Sequence, residues 1–402
     1  MTYPTPYRIA TLAAAAAALM SALPAHAVDW SGYMRGGPAA TTVSGKSRQC
    51  YGLAGAGLKY RLGNECDIYG EFQLAQAMKV DGVDVNAVLM TNYYSPATES
   101  GHSSNAADNY NIDMAYVEMK GVDIAPNTLF WMGKRRDRVD VHITDTFFVN
   151  LSGVGAGMSN IDLGFGKLGL SGYKTDTPAT GAPGTNGGAR LHADFYDIPT
   201  NPNGKLRALV SYGRGDSQGG IKGTSGYGIS FEHIQDKFLG GGNHVWLQYA
   251  QGSLGLDQSF GNLTAKSGNK GWRVVESPSW QIGALGGQAE LLYEHDKTDT
   301  GATVNDFSLG GRMSYGITKN LKFLAEVAYS QRKPSGSPSE NLTKVTVGPA
   351  LSTGPGFWQR PELRLYVTWA DFNEAAALDP ANGLPAGKTN GVSYGAQVEI
   401  WF

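Results

Sequence analysis

Val392-Ser393-Tyr394-Gly395-Ala396-Gln397-Val398-Glu399-Ile400-Trp401-Phe402 divides into two faces. Its even positions are Val, Tyr, Ala, Val, Ile and Phe; its odd positions are Ser, Gly, Gln, Glu and Trp. A period of two is the mark of a strand, and about 11 residues is the length a tilted strand needs to cross a bilayer. The same alternation returns upstream. Trp30, Gly32 and Met34 alternate with Ser31, Tyr33 and Arg35, and Phe72 and Leu74 with Glu71 and Gln73. Leu321 to Tyr329 and Leu363 to Trp369 repeat it. One apolar face set against a polar, partly charged face predicts an all-β chain folded as a transmembrane antiparallel β-barrel.

Composition agrees. Of 402 residues 55 are Gly, 17% are charged and 10% aromatic, which excludes an aromatic-poor, highly charged disordered chain. The formal charge of −2 offers no general attraction for nucleic acid. Residues 1–27 carry Arg8, an apolar run from Ile9 to Leu23, and Ala25-His26-Ala27. They read as a cleavable secretory signal, the run being short for a membrane span. Residues 28–402 then form one barrel domain. Cys50 and Cys66, alone in an exported chain, predict a disulfide worth roughly 3 kcal/mol by loop entropy. Thr318-Lys319-Asn320 looks like a tight turn, whereas 92–112, 175–190, 252–270, 332–342 and 371–391 read as long polar loops. Short periplasmic turns and long extracellular loops follow. Length alone does not choose between 16 and 18 strands.

Several stretches together resemble the maltoporin family. They are Val28-Asp29-Trp30-Ser31-Gly32-Tyr33, Tyr60-Arg61-Leu62-Gly63-Asn64-Glu65-Cys66, Gly133-Lys134-Arg135, Asp140-Val141-His142, Gly155-Ala156-Gly157, Ile161 to Leu168, Trp358-Gln359-Arg360-Pro361 and Gly395 to Phe402. The resemblance implies a homotrimer of 18-stranded barrels in a Gram-negative outer membrane, passing maltose and maltodextrins by facilitated diffusion. It implies an aromatic slide of Tyr33, Tyr69, Trp358 and Trp401, with Phe260 as a further rung. Register agrees for Tyr33, Tyr69 and Trp401, which fall on the polar faces of their strands. The polar partners implied are Arg35, Arg61, Glu71, Arg138, Asp140 and Asp145. Arg35 and Glu71 alternate onto the same faces as Tyr33 and Tyr69.

The chain also departs from the family pattern. Phe147 stands where the family's constriction carries a Tyr, Asn150 replaces an Asp, and Asp113 stands in place of a pore Arg. Residues 92–112 lack the Trp that the family sends to a neighbouring subunit; Tyr93, Tyr94 and His102 are the candidates to replace it. These differences leave open a general porin, or one for another solute such as sucrose. An exported glycoside hydrolase would need two opposed carboxylates, and nothing singles out a pair among 35 acidic residues. No nucleophile motif emerges, no cofactor is expected, and Asp140-x-His142-x-x-Asp145 lacks zinc spacing. A soluble sugar-binding domain is the third class; unlike a barrel, it would leave the membrane without detergent.

Overall fold

Strands in lipid must satisfy every backbone N–H and C=O within the sheet, and a sheet without edges does this by closing on itself. The computed structural model describes residues 28–95, 109–175, 187–385 and 387–402. The proposed signal at 1–27 and His102 lie outside them.

The first half of the chain forms β1 (Asp29–Gly36), β2 (Ala39–Thr41), β3 (Ile68–Val80), β4 (Val83–Ser95), β5 (Asn109–Lys120) and β6 (Leu129–Arg135). After these come β7 (Arg138–Val141), β8 (Thr146–Asn150), β9 (Gly153–Asp162), β10 (Lys167–Thr175) and β11 (Gly188–Pro199). The second half forms β12 (Gly204–Gly215), β13 (Ser225–Phe238), β14 (Gly241–Gln251), β15 (Lys270–Ile282) and β16 (Leu285–Lys297). It ends with β17 (Thr303–Gly316), β18 (Leu321–Pro334), β19 (Glu340–Ser352), β20 (Glu362–Phe372) and β21 (Asn390–Trp401).

Leaving out β2, β7 and β8, eighteen strands pair antiparallel in one closed ring. Its seam joins β1 to β21, with Tyr33 opposite Trp401 and Arg35 opposite Glu399. The short β2 runs on beside β21 beyond Gly37 and Pro38. β7 and β8 form a separate hairpin.

Outer positions are apolar and exposed, as in Leu363, Leu365, Val367 and Trp369. Near the long-loop end, ring pairs Tyr227–Tyr249, Trp272–Tyr293 and Phe307–Tyr329, 5.5–6.3 Å between centroids, form an aromatic belt on β13 to β18. At the seam Trp30 packs edge-on to Phe402 at 5.0 Å. Such rings suit the membrane–water boundary.

Turns at the other end are short. Asp81 and Gly82, both at positive φ, reverse the chain between β3 and β4. Connections 121–128 and 353–361 are longer. The expected long loop at 332–342 shortens to 335–339, because pairing continues out to Arg332 opposite Glu340.

Two segments turn into the barrel. The first, residues 42–67, is closed by the Cys50–Cys66 disulfide, with Cα atoms 6.0 Å apart. Tyr60 and Leu62 within it are buried. Gly63 (φ +58) lets the backbone lie against the Tyr366 ring, where a Cβ would collide. The second, residues 136–152, contains the β7–β8 hairpin. Its Ile143 and Phe148 join a core with Trp246, Val275 and Leu292. The Arg61 N–H donates to the Ile143 carbonyl at 3.0 Å, tying the two segments together.

Candidate functional site

Alternation alone turns Tyr33 and Arg35 of β1, Tyr69 and Glu71 of β3, and Gln397, Glu399 and Trp401 of β21 toward the lumen. The seam makes these strands neighbours. Tyr33 and Tyr69 have ring centroids 6.2 Å apart, and Tyr33 sits opposite Trp401 in register. Trp358, on the 353–361 connection, is 42% exposed. It meets Trp401 through His142, whose ring lies 5.4 Å from Trp358 and 5.5 Å from Trp401. Four aromatic side chains from distant parts of the chain thus make one arc.

Charges line the arc in pairs. Arg35 reaches Glu65 at 2.9 Å, Asp67 at 3.0 Å and Asp145 at 3.2 Å, and its guanidinium stands 5.2 Å from the Tyr69 ring. Arg61 donates to Glu65 at 2.5 Å and to the Tyr33 hydroxyl at 2.6 Å. That hydroxyl in turn donates to Glu399 at 2.9 Å. Arg360 donates to Glu399 at 3.0 Å and covers the Trp401 ring at 4.2 Å. Beside Tyr69, whose hydroxyl donates to Glu71, Arg136 bonds Glu71 at 2.6 Å and also Asp113. Arg138 lies 3.9 Å from Glu71, and its guanidinium covers the Phe147 ring at 4.3 Å.

Burial pulls the Arg61 guanidinium down, but Glu65, Tyr33 and Glu399 outweigh it and hold it well above the ordinary arginine value. Burial also pushes the Asp140 carboxyl up, reinforced by Asp145. For His142, burial, with help from Arg61, Arg312 and Arg360, holds the imidazole well below its ordinary value, against the pull of Glu399. Neutral His142 can accept from the Arg360 guanidinium, 3.1 Å from Nε2.

The structure brings Tyr33, Tyr69, Trp358, Trp401, Arg35, Arg61 and Asp145 into one neighbourhood, with Glu71, Arg138 and Phe147 adjoining it. Phe260 lies elsewhere. It is on the 252–269 connection, packed near Val149, Leu151 and Tyr173, with the Arg190 guanidinium 4.8 Å from its ring. Sequence reasoning passed over Glu399, Arg360, Arg136 and His142 as members of this cluster. Glu399 shares the parity of Trp401 and could have been found by it. His142 and Arg360 lie within family-like stretches but owe their place to contacts far apart in sequence.

The sequence profile of the LamB porin family matches residues 28–402. Among solved structures, the chain is similar to Pseudomonas aeruginosa OccK2 (OpdF), at 10% identity over 93% of this chain and 97% of that one, with a TM-score of 0.54. It is also similar to an anion-selective porin from Comamonas acidovorans, at 12% identity over 93% and 99%, TM-score 0.46. Salmonella typhi OmpF in complex with daunomycin matches at 9% identity over 93% and 97%, TM-score 0.48. At such identity the OccK2 likeness shows the barrel fold alone.

Proposed function

The chain belongs to the LamB porin family and is an outer-membrane porin, a channel and not an enzyme, and we propose that it passes maltodextrin-like oligosaccharides by facilitated diffusion. On this reading residues 1–27 direct export, three copies assemble, and the arc of Tyr33, Tyr69, Trp401 and Trp358 is the track. The observation that carries it is the arc itself, four aromatic side chains bordered on one lumenal face by paired charges. A pyranose ring has apolar C–H faces that a flat ring covers, and a rim of hydroxyls that need partners. Each hydroxyl left buried without one costs roughly 1–3 kcal/mol. Arg35, Arg61, Glu71, Arg138, Asp140 and Asp145 supply donors and acceptors for that rim. A series of similar, modest sites lets solute bind and still leave.

A second reading, a general or sucrose-type porin, draws support from Phe147. Its ring is covered by Arg138, and it has no hydroxyl to offer at the constriction.

Conductance of the refolded 28–402 chain in planar bilayers, titrated with maltotriose, sucrose and a neutral control, tests both. Maltotriose should block in a concentration-dependent way. Trp401→Ala should weaken that block by up to about tenfold, the worth of one aromatic contact of roughly 1.4 kcal/mol. Ion current indifferent to every sugar would sink the slide.

A further inference from the structure

Away from the arc, the lumen holds a second built recess. It lies between the inward-folded 136–152 segment and the wall of β6 and β9 to β13, and encloses about 340 Å³. That is within the range, roughly 300–1,000 Å³, of small-molecule sites. In the ring order β11 stands eight places from β21, nearly opposite the seam. The recess runs from Asp137 and Leu151 of the folded segment down to Tyr196, Asp197 and Lys205, beside the short turn 200–203. It therefore reaches toward the short-turn, periplasmic end of the barrel.

Its walls combine two chemistries. Trp131 and Tyr173 pack with centroids 5.6 Å apart, and Tyr196 adds a third ring. Tyr196 is held in place at its hydroxyl, which accepts from the Asn160 N–H at 2.8 Å and donates to Asn160 Oδ1 at 3.0 Å. Next to it Arg207 grips Asp194 with two parallel bonds, Nε to Oδ1 at 2.9 Å and Nη2 to Oδ2 at 2.8 Å. Such a fork keeps a donor and an acceptor at fixed separation with little freedom left to lose. Lys205 pairs with Asp197 at 3.1 Å, and the Arg135 guanidinium lies 5.2 Å from the Trp131 ring. Arg135, Lys205 and Arg207 are thus matched by Asp137, Asp194 and Asp197 along the same lining. Balanced charge gives no net field to draw an ion of either sign. Rings beside fixed donors and acceptors suit a neutral, polyhydroxylated ring compound.

We propose that this recess is a second saccharide subsite, separate from the arc, that takes a short neutral saccharide toward the short-turn, periplasmic end of the lumen. It deepens the sugar-channel reading and rests on it. Tyr196 supplies the stacking face, and the Asp194–Arg207 pair bonds adjacent hydroxyls.

The test adds maltotriose to one side of the full 28–402 channel at a time. Tyr196→Leu and Asp194→Asn should slow blocking from the short-turn side by about tenfold, while block from the long-loop side changes little. Trp401→Ala should weaken both. Ser171→Cys serves should those variants fail to fold. It lines the recess, and since Cys50 and Cys66 are joined it is the one free thiol among the described residues. Maltotriose should slow its alkylation severalfold, also in the Trp401→Ala background. Wild-type channels blocked from both sides, with variants indistinguishable from them and no protection of Cys at 171, would overturn the subsite and leave the slide intact. A wild-type channel that no sugar blocks would overturn both.

Discussion

Glu326 holds the disulfide-closed segment 42–67 against the wall, and removing its charge should loosen the lumen without opening the barrel. The side chain is fully buried on β18. Oε1 accepts from the Leu62 N–H at 3.0 Å and from Lys344 Nζ at 3.0 Å, and Oε2 accepts from Arg312 Nε at 2.8 Å. Glu326→Ala strands two buried cations, a loss of about 3–5 kcal/mol. Stranding the cations weakens the wall itself. The separate effect on the inner segment is loss of the charged hydrogen bond to Leu62, about 1.5–3 kcal/mol. A loss in that range lowers the ratio of docked to undocked segment by a factor of about 10 to 150. Lys344 still donates to the Tyr60 carbonyl at 2.6 Å, and the disulfide remains, so the segment stays tethered. Single-channel recordings should show larger or noisier open current, and limited proteolysis should cut within 42–67 while the barrel stays folded. Glu326→Gln, which keeps an acceptor but no charge, should fall between. A folded Ala variant with wild-type conductance, noise and protease resistance would refute the idea that this contact anchors the segment.

Three further outcomes follow from the same lumen. Cys50→Ala with Cys66→Ala should lower the stability of the inner segment by roughly 3 kcal/mol, read as proteolysis of 42–67 at lower denaturant than in the wild type. His142 is held neutral below its ordinary value of 6.5. Between that value and its lower folded one, the displaced segment takes up a proton that the docked segment refuses, so docking strengthens as pH rises and weakens on acidification. Channel noise should therefore grow as pH falls below about 6.5, and His142→Gln should flatten the dependence. Arg136→Gln leaves Glu71 and Asp113 without their shared cation. Reversal potentials across a KCl gradient should shift toward cation preference, and an unchanged potential would show that these charges do not face the ion path.

Much of this was legible in parity. A period of two assigns the face of Tyr33, Tyr69, Glu71, Arg35 and Trp401 without further information, because one residue of slip would put every one of them in lipid. The inward folding of 42–67 and 136–152 was not legible. It depends on single contacts across long separations, such as Arg61 Nη1 to the His142 carbonyl at 3.1 Å, 81 residues apart. No local pattern carries that. The connection expected at 332–342 is shorter, at 335–339, for a related reason. Its polar composition suits a solvated strand end as well as a loop, and pairing with β19 decides between them. Phe260 shows the limit of motif transfer, since a connection can keep an aromatic residue and still pack it against Tyr173 and Arg190.

The seam bears on how the protein is assembled. Each ring strand pairs with its neighbours in the chain, except where β1 meets β21 and the Tyr33 hydroxyl bonds Glu399 across 366 residues. A chain built of hairpins can grow as a meander from local contacts, which form fast. Closing the ring adds one long-range event. Its entropic cost rises only with the logarithm of the span, yet until it happens two strand edges present unbonded amides that lipid will not accept. Insertion and closure should therefore be coupled in a single late step. Strand mutations at the seam should slow the conversion of the membrane-bound chain to the closed barrel far more than equal changes in the middle of the meander.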